Sequence, residues 1–107
     1  MTLPARSTVA AVLALAAAGA NAQAGADALR ARSLAATCAA CHGTDGRAAT
    51  EAALPGLAGM PAPYLAEQMK AFKSGVRTGT LMPQLAKGYS DAQIEQLAAW
   101  FAKAGTK

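Results

Sequence analysis

Cys38-Ala39-Ala40-Cys41-His42 decides how this 107-residue chain is read. Two thiols separated by two residues match the spacing of the two vinyl groups along one porphyrin edge. A histidine directly after the second thiol is then placed to send a ring nitrogen to the iron. Other readings of the pair fit less well. A thioredoxin-like redox pair belongs beside a βαβ pattern, and no stretch here has strand periodicity. A zinc site wants four ligands, whereas the chain holds two cysteines and one histidine. A disulfide across two residues would leave His42 without a role. The motif therefore points to one haem c, attached through Cys38 and Cys41, with His42 as an iron ligand.

Working outward, the first stretch reads as a leader rather than as part of the domain. Arg6 is followed by the uncharged run 9–18 of Val, Ala and Leu. Ala20-Asn21-Ala22 and Ala22-Gln23-Ala24 then offer small residues where a signal peptidase cuts. The expected organisation is a signal peptide over 1–22, with cleavage after Ala22 or Ala24, and one haem domain over 23–107. The apolar run is shorter than the roughly 20 residues a membrane span requires. The expectation is a periplasmic protein with no stable membrane insertion once the leader is removed. Of the ten Lys and Arg, Arg6 leaves with it; nine against six Asp and Glu give a mature charge of +3. No cluster of basic residues is interleaved with aromatics, which argues against nucleic-acid binding. The mature chain, alanine-rich and poor in aromatics, has little core of its own. A buried porphyrin would supply that apolar surface, so the apoprotein is expected to be largely unfolded.

The remaining pattern is helical throughout. A first helix is expected over 27–37 with Asp27 as N-cap. Ala31, Leu34, Ala35 and Cys38 form its inner stripe, and Arg30 and Arg32 face solvent. Gly43, Asp45 and Gly46 mark a polar loop leading to Leu54-Pro55-Gly56-Leu57-Ala58-Gly59. Pro61 and Pro63 open a second helix over 64–74 that Gly75 closes, with Leu65, Met69 and Phe72 on one face. The segment 76–88 lacks a period and reads as an irregular loop containing Met82-Pro83. Ser90 and Gln93 form a capping box for a last helix over 91–104. Ile94, Leu97, Ala98 and Phe101 form its apolar stripe, and Gly105 stops it.

Two site questions follow. A haem-ligating histidine commonly donates its second ring N–H to a fixed acceptor. The Pro55 carbonyl, 13 residues after His42, is a candidate; loop punctuation is the alternative role for Pro55. With no second histidine, a sixth iron ligand would come from methionine, the usual partner of histidine in electron-transfer cytochromes. Met60 lies just past the proline turn and Met69 sits within a helix stripe. Met82, 40 residues after His42, is in a loop free to wrap to the opposite haem face, and is the expected ligand.

Taken together, these residues resemble the small class I c-type cytochromes. The resemblance is carried by Cys38–His42 with Gly43, by Pro55-Gly56-Leu57-Ala58-Gly59, by Tyr64-Leu65, Gln68-Met69, Phe72-Lys73-Ser74-Gly75 and Arg77, and by Met82 with Ala86-Lys87-Gly88-Tyr89-Ser90-Asp91. Within that family it is most similar to the haem subunit of flavocytochrome c sulfide dehydrogenase; soluble monohaem and dihaem carriers share several of the same pieces. The resemblance implies an all-α fold of three to four helices wrapped around one covalently bound haem. It implies His42 and Met82 as axial ligands, the Pro55 carbonyl as the acceptor for His42, and Tyr64 and Arg77 as candidates to hydrogen-bond the propionates. It also implies that the first helix crosses the last near Trp100, with Ala31 where relatives carry glycine.

The expected function is electron transfer by a hexacoordinate haem, without catalysis by the chain itself. A sulfide-oxidising flavoprotein is the expected donor, and a freely diffusing carrier between respiratory complexes is the alternative. A five-coordinate haem that binds a gas or peroxide is a third reading, which requires Met82 not to ligate.

Overall fold

A computed structural model describes residues 5–106, with side chains from Thr8 onward; Met1, the Arg6 side chain and Lys107 lie outside the described residues. Among the described residues all regular structure is helical: α1 Ala5–Ala36, α2 Ala39–His42, a 3₁₀ turn Thr44–Gly46, α3 Ala62–Ser74, α4 Met82–Ala86 and α5 Asp91–Ala104. Beside the three helices placed from the sequence stand two short ones, α2 and α4, of four and five residues.

The chain divides into two units, Met1–Arg30 and Ala31–Lys107. In the first, every described side chain is exposed. Thr8–Ala36 is long and apolar enough to cross a membrane, a test that signal sequences also pass. The helix does not begin at Asp27, as the sequence suggested. Alanine has the highest helix propensity, and nothing in 5–26 stronger than Gly19 and Gly25 interrupts it. Asp27 is therefore an interior residue, paired with Arg30 at 3.2 Å and accepting from Gln23.

The second unit holds the core. At the end of α1, Ala35 is buried while Ala31 and Leu34 are half-buried, as is Cys38 just beyond it, so the stripe faces inward as expected. Its contribution to the core is Ala35 rather than Ala31. The α3 helix packs against both α4 and α5. Pro61 caps it, Pro63 sits in its first turn, and Gly75 ends it in the left-handed region at φ +84°. Leu65, Ala66 and Met69 are its buried face, so Met69 is a core residue. Ser90 accepts from the Gln93 amide, and the Gln93 side chain accepts from the Ser90 amide, completing the capping box. Ile94, Leu97 and Phe101 of α5 are almost wholly buried, each contributing about 1.5–3 kcal/mol. Two ion pairs, Lys70–Glu95 and Lys73–Asp91, tie α3 to α5 at the surface.

One expectation needs correction here, and another holds for a different reason. Segment 76–88 is not wholly irregular: Met82 is the first residue of α4, with Pro83 beside it in the first turn, where a proline lacks no needed N–H. Gly105 ends α5 as expected, without turning left-handed. Its φ is −70°, a value open to any residue. What requires glycine is space, because a Cβ there would lie 2.3 Å from Gly59 Cα and 2.7 Å from Gly59 N. The end of α5 and the 55–59 turn touch backbone to backbone.

Candidate haem site

The attachment motif sits at a helix break. After Ala36 the chain makes a turn, with Thr37 and Cys38 amides bonded to Leu34 and Ala35 carbonyls, and α2 then carries Cys41 and His42. The two thiols are not joined to each other. Cys38 is half-buried, and burial pushes its thiol pKa up, partly offset by the Thr37 hydroxyl. Cys41 is exposed.

His42 faces the proline turn. Its Nδ1 lies 2.7 Å from the Pro55 carbonyl oxygen. An imidazole nitrogen facing a carbonyl must carry the proton, so Nδ1–H donates and Nε2 keeps its lone pair for a metal. That alignment is built by the loop between them. Gly46 adopts φ +74° and is buried; its carbonyl accepts from Leu57 at 2.8 Å and from Ala58 at 3.1 Å. A Cβ on Gly46 would meet Ala58 N, Phe101 Cδ1 and Leu57 Cβ within 2.9 Å. Only glycine lets the loop seat this closely. The Gly59 amide then donates to Phe101 at 2.8 Å, and the Arg47 guanidinium donates to the Ala104 carbonyl. The Pro55 carbonyl is thus held between the loop after His42 and the last turn of α5.

The other expected residues lie on separate elements. Met82 is half-buried against the core at the start of α4. Tyr64, on α3, is 48% exposed. Arg77 follows α3, with its guanidinium over the Phe72 ring at 4.4 Å and donating to Gln68 at 2.6 Å. Large apolar side chains next to the ligand candidates face water: Leu54 beside Pro55, Leu81 beside Met82, and Leu85 one turn along α4. One contact the sequence reading missed joins Thr37 Oγ1 to Tyr89 OH at 2.7 Å, 52 positions apart. Only Tyr89 in the Lys-Gly-Tyr-Ser piece hinted at it.

These residues fit a covalently held porphyrin. Two unpaired thiols have the attachment spacing, one imidazole has its free nitrogen fixed, and apolar side chains flank it. No group of three or more His, Cys, Asp or Glu among the described residues could hold a metal ion by itself, so iron would need a macrocycle to supply its other ligands. Residues 20–101 match the family described as cytochrome c oxidase, cbb3-type, subunit III. The chain belongs to this family of c-type cytochrome domains. It is 44% identical over 69 residues, 64% of its length, to the thiosulfate dehydrogenase electron acceptor of Thiomonas intermedia, spanning 32% of that protein. It is 43% identical to cytochrome c-554(548) of Halomonas halodenitrificans over 61% of its own length and 81% of that chain. The cytochrome subunit of sulfide dehydrogenase from Chlorobaculum tepidum is 37% identical, over 66% of this chain and 63% of that one. The chain thus spans between about a quarter and four-fifths of the length of the curated relatives it matches. Haem c, attached through Cys38 and Cys41, is the cofactor this membership gives it, and electron transfer is the activity it gives the domain.

Proposed function

We propose that the chain is an exported monohaem electron carrier whose iron is held between His42 and Met82, and that it takes electrons from a dehydrogenase acting on a reduced sulfur compound. Haem iron with both axial positions filled supplies a one-electron couple without binding substrate, and a methionine ligand raises its potential. The observation that carries this reading is the Nδ1–Pro55 bond. It fixes the tautomer of His42 and strengthens the imidazole as a ligand. Met82 stands on a short helix with an exposed leucine on one side and the core on the other, which suits a thioether that faces a haem. Tyr64 and Arg77 remain the candidates for the propionates; Arg77 would keep its stacking on Phe72 while doing so.

The 1–22 segment is proposed as a leader cleaved after Ala22 or Ala24, with the working domain in the periplasm. The apolar, fully exposed helix of the first unit supports this. Two relatives, one named a thiosulfate dehydrogenase electron acceptor and one the cytochrome subunit of sulfide dehydrogenase, support a sulfur-oxidising donor, and a sulfide-oxidising flavoprotein is the donor proposed here. The free-carrier alternative draws on cytochrome c-554(548), of whose length this chain spans 81%.

The test is a mild pull-down of the tagged mature protein from its native periplasm. The eluate is scanned for flavin beside haem, then given sulfide or thiosulfate. Co-purifying flavin with sulfide-driven haem reduction supports the flavoprotein donor, and reduction by thiosulfate alone points to a different dehydrogenase. A clean haem protein silent to both is a freely diffusing carrier.

A further inference from the structure

We infer that Tyr89 is a positioning residue for Met82: its hydroxyl fastens the segment that carries Met82 to the residue beside the haem-attachment motif. This rests on Met82 being the iron ligand, as proposed above.

The proton inventory fixes the direction of the bond. A hydroxyl has one proton, and that of Thr37 is donated to the Leu34 carbonyl at 2.7 Å. In the 2.7 Å contact between the two hydroxyls, Tyr89 is therefore the donor and Thr37 Oγ1 the acceptor. Thr37 directly precedes Cys38, with its oxygen 3.9 Å from Cys38 Sγ. Covalent attachment to haem would make that end of the bond immobile.

The other end restrains α4. Upstream of Met82, residues 74–81 are all exposed, and Arg77, stacked on Phe72 and bonded to Gln68, ties that stretch to α3 five positions before Met82. Downstream, Ala86 is fully buried and Tyr89 half-buried against the core. The turn between them is closed by the Gly88 amide on Leu85, at 3.0 Å, and the Tyr89 amide on Ala86, at 3.2 Å. The phenol is thus linked to α4 through two short backbone bonds. Withdrawing Met82 far enough to admit another ligand displaces α4, and displacing α4 pulls on the Tyr89–Thr37 bond. The bond raises the free energy of that opened state.

The test is azide binding to the ferric haem protein, followed by ligand-field absorbance, with amide hydrogen exchange of Leu85 and Ala86 alongside. Azide reaches only the opened state, so its apparent affinity scales with that state's population. Loss of one exposed hydrogen bond is worth about 1 kcal/mol, or about five-fold at about 1.4 kcal/mol per tenfold. Tyr89→Phe and Thr37→Val are each expected to bind azide about five-fold more tightly and to exchange both amides faster. Thr37→Ser, which keeps the acceptor, is expected to behave as the parent. The double variant should add nothing to either single one. Parent-like azide affinity in Tyr89→Phe and Thr37→Val, with Met82→Ala binding far more tightly, overturns the role of Tyr89 and leaves Met82 as ligand. Parent protein that already binds azide as tightly as Met82→Ala overturns the ligand reading itself, and the inference with it. A drop in global stability with unchanged azide affinity marks the bond as structural only and also overturns it.

Discussion

Alanine substitutions at three glycines, made one at a time, separate the two reasons a fold needs glycine. Gly75 has φ +84°, and a methyl group added there would have nothing within 4 Å. Alanine at this position meets only the left-handed backbone, at about 1–2 kcal/mol, of which about 0.4–1 kcal/mol returns through the less free unfolded chain. A net loss of about 1 kcal/mol is expected. Gly105 is the opposite case. Its φ of −70° suits alanine, so without neighbours the substitution would stabilise. Its Cβ would instead fall 2.3 Å from Gly59 Cα, and both partners are backbone, so neither can rotate away. Overpacking of that kind costs about 1–3 kcal/mol. Gly46 combines both terms, a φ of +74° and contacts within 2.9 Å of Ala58, Phe101 and Leu57, for a loss of about 2–5 kcal/mol. Guanidinium unfolding of the haem-loaded proteins, followed by far-ultraviolet circular dichroism with linear extrapolation, gives each value. A neutral or stabilising Gly105→Ala refutes the reasoning, because it would mean that the end of α5 and the 55–59 turn do not press together.

Ser90→Ala removes the α5 cap and is expected to cost about 1 kcal/mol by the same unfolding assay; a loss below a few tenths would show that Gln93 holds the end alone. The Lys73 ammonium, through its hydrogen bond and then its charge, holds the Asp91 carboxyl below the ordinary carboxylate range. Its folded pKa is lower than its unfolded one, so that contribution is present above the ordinary range and is lost as pH falls through the folded value. Asp91→Asn should therefore lower stability slightly at neutral pH and converge on the parent below the folded value, which flattens the acid limb of the stability–pH curve; an unaltered acid limb would show that the pair contributes nothing there. Lys70 is held above the ordinary amine value, first by its hydrogen bond to Glu95, so its contribution is present at neutral pH and fades only as pH rises past that value. A Cys38→Ala, Cys41→Ala protein, unable to attach haem, is expected to show little stable helix by circular dichroism in the 31–106 domain; a cooperative melt like that of the haem protein contradicts the expectation of a core too small to fold alone.

What could be read from sequence was local or repeated. The attachment motif spans five consecutive residues, and the Ser90–Gln93 box and the Ile94-Leu97-Ala98-Phe101 stripe each lie within about two turns of helix, where spacing fixes geometry. The pairing of His42 with Pro55 needed more than a chemical argument: that an imidazole ligand wants a second acceptor left loop punctuation open for Pro55, and the family resemblance decided for the carbonyl that faces His42 at 2.7 Å. The misses have two physical sources. Alanine carries helix wherever nothing forbids it, so the start at Asp27 was lost in a helix that runs from Ala5. The rest depended on contacts between distant residues. Met82 lies on a helix because five residues pack against α3, too short for a period to reveal. Gly105 answers to Gly59, and Tyr89 to Thr37; neither member of either pair announces the other.

The acceptor that faces His42 is a main-chain carbonyl and not a side-chain carboxylate. A carboxylate in that place would gain a proton in acid and let go of the imidazole, so the electron-donating strength of the ligand would follow the acidity of the surroundings. A peptide oxygen has no such titration. With His42 on the iron and the domain outside the cytoplasm, both as proposed, the driving force for each electron passed on is insulated at this point from changes in the acidity around the protein.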